Sequence, residues 1–210
     1  MNKKDTKHIV ISGNIGSGKT TLTKLLAKHY HWESRLDKVD DNPYLSDFYE
    51  DMRRWAFSLQ VYFLHSRFNT VLDIQQSGQS VIQDRSIYED AYIFAPNLHE
   101  MGLMSSRDFK SYSDLFDLMA KLVQPPDLLI YLRTEVAQLV KQIQNRGRQY
   151  ESRIRLDYLA GLNERYEAWI AEYTAGPIII LDVANNNFSE NPEALSAVID
   201  KIDAKLFGLF

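Results

Sequence analysis

The sequence predicts an α/β fold, an open five-stranded parallel sheet flanked by helices on both faces. Short apolar, β-branched runs alternate with long amphipathic segments along the chain, and parallel neighbours need crossovers of that length. The chain has 210 residues, 45% hydrophobic and 25% charged, ordinary figures for one globular core and far from those of a disordered chain. A single domain over residues 1–210 is therefore expected.

The elements follow in order. His8-Ile9-Val10-Ile11-Ser12 ends against glycine and reads as a buried first strand. The next helix, over residues 19–30, carries Leu22, Leu25, Leu26 and Tyr30 at helical spacing. A poorer second strand is expected between residues 32 and 39, before Asn42-Pro43 breaks the chain. A long helix then spans residues 51–76, with Trp55, Leu59, Tyr62, Phe63, Phe68 and Leu72 forming a stripe. Residues 80–84 make a third strand, and helical stretches follow over residues 87–97 and 105–122. Pro125 and Pro126 set off the clearest central strand, residues 127–132. A helix to Asn145, an Arg-rich corner, a helix to Tyr173 and a strand over residues 177–181 complete the core. Residues 185–187 mark a loop, and Asn191 caps a last helix with Pro192 in its first turn.

Charge and composition exclude several classes of partner. Lys and Arg total 24 against 28 Asp and Glu, a net charge of −4, so no nucleic-acid polymer is expected to bind. The absence of cysteine removes disulfides, zinc–thiolate sites and thiol nucleophiles, and fits a reducing compartment. No apolar run approaches the ~18 residues that span a bilayer, and the charged N-terminus does not resemble a signal peptide. A cytoplasmic protein without a membrane partner is the expectation.

In such sheets ligands bind beyond the carboxyl ends of the strands. After the first strand stands Gly13-Asn14-Ile15-Gly16-Ser17-Gly18-Lys19-Thr20, a G-x-x-x-x-G-K-[ST] phosphate loop. Its glycines let amide N–H groups turn inward on phosphate oxygens, and the helix that starts there adds its partly positive end. Lys19 brings a cation to the β- and γ-phosphates, and the Thr20 hydroxyl is suited to ligate Mg²⁺.

The third strand ends in Asp84-Arg85-Ser86. The carboxylate can hold a metal and the guanidinium can neutralise a transferring phosphoryl group, although Ser86 with Glu89 also makes a capping box. On the long helix Gln60 and Arg67 lie seven residues apart on one face, about 10 Å along the axis. Among aromatics they can read a nucleobase edge; they can equally form a solvated stripe. Arg146-Gly147-Arg148, followed by Glu151, is either a helix C-terminus or a lid that closes two guanidinium groups over phosphates.

Taken together, residues 13–20, Val39-Asp40-Asp41-Asn42-Pro43-Tyr44, Phe48-Tyr49-Glu50, the run from Arg54 to Gln60, Asp84-Arg85-Ser86-Ile87-Tyr88-Glu89-Asp90 and Arg146-Gly147-Arg148 resemble the deoxynucleoside kinase family over nearly the whole chain. The wording is most similar to bacterial deoxyadenosine-type kinases, some of which accept deoxycytidine or deoxyguanosine. The resemblance implies a P-loop kinase fold with an Arg-containing lid, ATP as donor with Mg²⁺, a deoxynucleoside acceptor and a homodimer. It implies that Gln60 bonds the base, with Asp90 and Arg67 completing the polar pocket and Phe94 stacking. It further implies that Tyr49 and Glu151 hold the 3′-hydroxyl, Arg85 steadies the 5′-oxygen, Asp84 serves the metal, and Arg146 and Arg148 act from the lid.

There are two departures from the family pattern. Where the family has Glu-x-Val, with the glutamate as general base, this chain reads Asp37-Lys38-Val39, one methylene shorter; Asp37 is the expected base, with Glu33 and Asp40 as competitors. At Gln142 relatives often carry a further lid arginine, for which Lys141 is a candidate substitute. The expected reaction is phosphorylation of a deoxynucleoside 5′-hydroxyl for nucleotide salvage, deoxyadenosine first. The alternatives are a nucleoside-monophosphate kinase and a non-catalytic ATP-binding regulatory module.

Overall fold

Strand β1 (His8–Gly13) occupies the middle of the sheet because both of its faces are apolar: Ile9, Val10 and Ile11 are wholly buried. The structure is a computed structural model that describes residues 6–39, 41–183, 188 and 191–208. Asp40 and the expected loop at residues 185–187 lie outside the described residues. Helix α1 (Lys19–Tyr30) leads to β2 (Glu33–Arg35), and α2 (Leu45–Glu50) and α3 (Met52–Ser77) lead to β3 (Val81–Asp84). A helical segment follows in three parts: α4 (Ile87–Glu89), a π turn (Asp90–Phe94) and α5 (Ala95–Glu100). Helix α6 (Ser106–Ala120) precedes β4 (Leu128–Arg133). Helix α7 (Val136–Arg146), a 3₁₀ turn (Gln149–Arg153) and α8 (Leu156–Ala171) precede β5 (Ile178–Asp182), and α9 (Pro192–Phe207) closes the chain. The strands form one five-stranded sheet in the order β2-β3-β1-β4-β5, every pairing parallel.

Period-two alternation divides the core between the two faces. Val10, Leu129 and Tyr131 point to the face covered by α3, the π turn and α8. Their neighbours Ile9, Ile11, Leu128, Ile130 and Leu132 point to the other, against Leu22 and Leu26 of α1 and Val198 and Ile202 of α9.

Three departures from the sequence-based boundaries bear on the site. The second strand has three residues, because after Arg35 the chain leaves the sheet edge and carries Asp37 and Val39 into a cavity. The long helix begins where expected, with Asp51 Oδ1 accepting from Arg54 N at 3.0 Å, but a separate short helix, α2, precedes it. The stretch after β3 widens into a π turn, in which Ala95 N donates to Asp90 O. No helix among the described residues is long and apolar enough to cross a membrane.

Candidate active site

A cavity of about 290 Å³ opens beyond the carboxyl ends of the strands, where both β3 and β4 border β1. Ile15, Gly16, Lys19 and Thr20 line one end of it; Gly13, Asn14, Ser17 and Gly18 complete the bend without lining the space. The bend needs its glycines. Gly16 has φ 85°, and a Cβ there would stand 2.9 Å from Ile143 of α7. Asn14 ties the bend to α8: its Oδ1 accepts from Ile15 N at 2.7 Å, and its Nδ2 donates to Leu159 O and Asn163 Oδ1, each at 3.1 Å. Burial, helped by the charge on Arg85, lowers the Lys19 ammonium to about 7 against the pull of nearby carboxylates.

Thr20 Oγ1 donates to Asp84 Oδ2 at 2.5 Å, and Asp84 Oδ1 is buried with no hydrogen-bond partner among the described residues. A hydroxyl and a carboxylate with one unused oxygen, beside the glycine-rich bend, fit a hard divalent cation that keeps other oxygen ligands from water or phosphate. Burial raises the proton affinity of Asp84, with Lys19 opposing it.

Arg85 follows directly, at φ 69°, a left-handed conformation that costs a non-glycine residue energy. Its main-chain N–H bonds Ile11 O at 3.0 Å, so the turn is anchored to β1. The guanidinium lies 4.5 Å over the Phe94 ring, and its Nε stands 3.3 Å from Asp37 Oδ2.

Of the three carboxylates considered for the base, Asp37 lines the cavity. Glu33 does not: it sits on the outer strand, paired with Arg35 at 3.0 Å. Burial alone would favour a neutral Asp37, but Arg67 and Arg85 outweigh it and hold its carboxyl below the usual carboxylate range.

The solvated-stripe reading of Gln60 and Arg67 is corrected: they are only 1% and 6% exposed. Arg67 is buried because it has partners, Asp37 at 2.9 Å and Asp90, and because its guanidinium lies 4.3 Å over Phe63. Gln60 Oε1 and Asp90 Oδ2 are buried without hydrogen-bond partners among the described residues. The π turn places both Asp90 and Phe94 on the cavity wall. Burial raises the Asp90 carboxyl to about 6, and Arg67 only partly offsets this.

Across the cavity, Tyr49 stacks on Tyr150 at 6.0 Å. Glu151, 5% exposed, accepts from Arg146 Nε at 2.9 Å and lies 3.5 Å from Arg148 Nη1. The helix-terminus reading holds, since Gly147 at φ 69° ends α7 with its N–H on Ile143 O. Lys141 does not line the cavity, whereas Lys24 of α1 does. Sequence reasoning missed Lys24, Tyr150 and Tyr158 on the wall and gave Phe48 no role beyond its place in the resemblance. Phe63 was visible only as one aromatic of the α3 stripe.

A family model described as deoxynucleoside kinase matches residues 9–207. The deoxyadenosine/deoxycytidine kinase of Bacillus subtilis (strain 168) is 39% identical, covering 92% of this chain and 90% of its own length. The deoxyadenosine kinase of Lactobacillus acidophilus is 37% identical, covering 94% and 95%. A solved structure of deoxyadenosine kinase from M. mycoides, with the products dCMP and a flexible dCDP bound, is similar with a TM-score of 0.84 and 25% identity. It covers 94% of this chain and 99% of its own.

Proposed function

The chain belongs to the deoxynucleoside kinase family, and from that we propose that it transfers the γ-phosphoryl group of ATP to the 5′-hydroxyl of deoxyadenosine, giving ADP and the 5′-monophosphate for nucleotide salvage. Deoxycytidine and deoxyguanosine are the next candidates. One observation carries this reading: the cavity is cationic at the bend and charge-compensated at the other end. There Arg67 is paired with both Asp37 and Asp90, and neutral Gln60 stands beside it. A nucleoside-monophosphate kinase would need free cations at that end to grip an anionic acceptor.

The main-chain N–H groups of residues 13–20 and the α1 N-terminus bind the triphosphate, and Lys19 adds a charge that phosphate oxygens restore. Thr20 and Asp84 would hold Mg²⁺, which when bound spreads the charge that builds on the phosphoryl oxygens. Asp37 orients the 5′-hydroxyl and takes its proton. Its low proton affinity suits a loose transition state, in which proton removal comes late and positioning matters more.

Arg85 steadies the 5′-oxygen, and Arg146 and Arg148 swing from Glu151 to the phosphates as the lid closes. Tyr49 and Glu151 bond the 3′-hydroxyl, Phe94 stacks on the base, and the unpartnered oxygens of Gln60 and Asp90 accept from an exocyclic amino group. Tyr92, Leu115, Leu118 and Leu122 are exposed large apolar side chains, three of them at helical spacing on or just after α6, and they support a homodimer. The absence of cysteine supports a cytoplasmic setting.

The test is an acceptor panel with γ-labelled ATP. Label is expected on deoxynucleosides, deoxyadenosine fastest, and not on deoxynucleoside monophosphates; transfer to monophosphates alone contradicts the reading.

A further inference from the structure

We propose that Tyr166 and Glu89, neither of which lines the cavity, are positioning residues that register the Arg85 guanidinium against the phosphate-binding bend. The proposal rests on the reading of Arg85 given above.

Tyr166 of α8 is fully buried. Its hydroxyl donates to Glu89 Oε1 at 2.8 Å and accepts from Arg85 Nη1 at 3.0 Å. Chemistry fixes those directions, because a carboxylate only accepts and a guanidinium only donates. Burial also holds the Tyr166 hydroxyl well above its ordinary value, so it keeps the proton it gives to Glu89.

Glu89, also fully buried, gathers three segments of the site at one carboxylate. Its Oε2 accepts from Ser86 N at 2.7 Å, and its Oε1 faces Gly13 N at 3.5 Å as well as Tyr166. One side chain thus holds the start of the bend, the residue after Arg85 and, through Tyr166, the end of the Arg85 side chain.

A capping box alone does not account for this. The box is present at Ser86 and Glu89, yet α4 has only three residues before the π turn. A helix start does not call for a hydroxyl brought from α8, 77 residues along the chain.

Packing fixes the ring that carries the hydroxyl. Tyr166 stacks on Tyr131 at 5.7 Å with an interplanar angle of 16°, and meets Phe94 edge-on at 6.5 Å. Phe94 in turn carries Arg85 on its face. The guanidinium is therefore set by Phe94 below, Tyr166 at Nη1 and Asp37 at Nε, with a left-handed main chain behind it. Displacing such a group by about 1 Å is enough to cost ~100-fold in rate.

The experiment is a double-mutant cycle on the full chain, with Tyr166→Phe, Arg85→Lys and the pair, measuring kcat and both KM values beside thermal midpoints. Tyr166→Phe keeps the ring and removes the hydroxyl. It is expected to lower kcat by about 10–100-fold with each KM within about threefold, and to have less than about a twofold effect once Arg85 is lysine. Equal losses of kcat with and without Arg85, or a lowered midpoint at unchanged kcat, overturn the proposal.

Glu89→Gln, which preserves the cap, runs the same cycle with the same expectation should Tyr166→Phe not fold. If neither variant folds, the two residues are structural and the proposal fails. A wild-type chain with no deoxynucleoside-dependent transfer refutes the underlying reading, whereas additive losses in an active kinase refute only this inference.

Discussion

Both oxygens of the Asp37 carboxylate accept from Nη2 of Arg67, at 3.0 and 2.9 Å, while Nη1 of the same guanidinium holds Asp90. The proposed base and the proposed base-reading pocket therefore share one cation. A carboxylate one methylene shorter than the family's glutamate is held in the cavity by that pairing and by Arg85.

Asp37→Asn keeps the size of the side chain and removes the proton acceptor. It should lower kcat by about 100-fold or more and leave both KM values close to wild type. Asp37→Glu should keep measurable turnover. Steady-state kinetics on the three proteins checks this, and an active asparagine variant would move the base elsewhere.

Lys19, lowered to about 7 by burial, is largely neutral above that value in the free protein. A bound triphosphate favours the ammonium, so binding at about pH 8 should take up a proton, and affinity should fall as pH rises through the free-protein value. Calorimetry in buffers of different ionisation enthalpy reads the uptake, which Lys19→Ala should abolish along with ATP-dependent activity while the chain stays folded.

Glu151 holds Arg146 and Arg148 in this structure and is the proposed acceptor for the 3′-hydroxyl. The ratio of kcat/KM for deoxyadenosine to that for its 3′-deoxy analogue should be at least ~10 in the wild type and fall toward one in Glu151→Gln. A ratio unchanged by the substitution would place 3′-hydroxyl recognition on other residues. Arg148→Ala should lower kcat by about tenfold through lost charge stabilisation.

Gln60 is almost wholly buried, and its Oε1 has no hydrogen-bond partner among the described residues. Gln60→Leu should raise the KM for deoxyadenosine by about 10–100-fold and leave the KM for ATP unchanged, a loss read from initial rates.

The sheet was legible because fully covered parallel strands are continuous apolar runs, as β1 and β4 are. The glycine-rich bend after β1 was legible because its pattern is local in sequence, and four of its residues line the cavity. The burial of Gln60 and Arg67 was not, since periodicity puts them on a face without saying what covers it. What covers Arg67 are Asp37 and Asp90, 30 and 23 residues away. The π turn carries no composition signal, yet it lets Asp90 and Phe94 share one wall. Lys24 reads as an ordinary exposed position of an amphipathic helix, and only the shape of the cavity marks it.

Single-turnover transfer from γ-labelled ATP, with the label counted on the acceptor and in inorganic phosphate, tests the shared cavity most directly. The account predicts label on the 5′-oxygen of deoxyadenosine with one ADP formed per monophosphate, and loss of that label in Asp37→Asn. Label released to inorganic phosphate at the same rate with and without deoxynucleoside would contradict it.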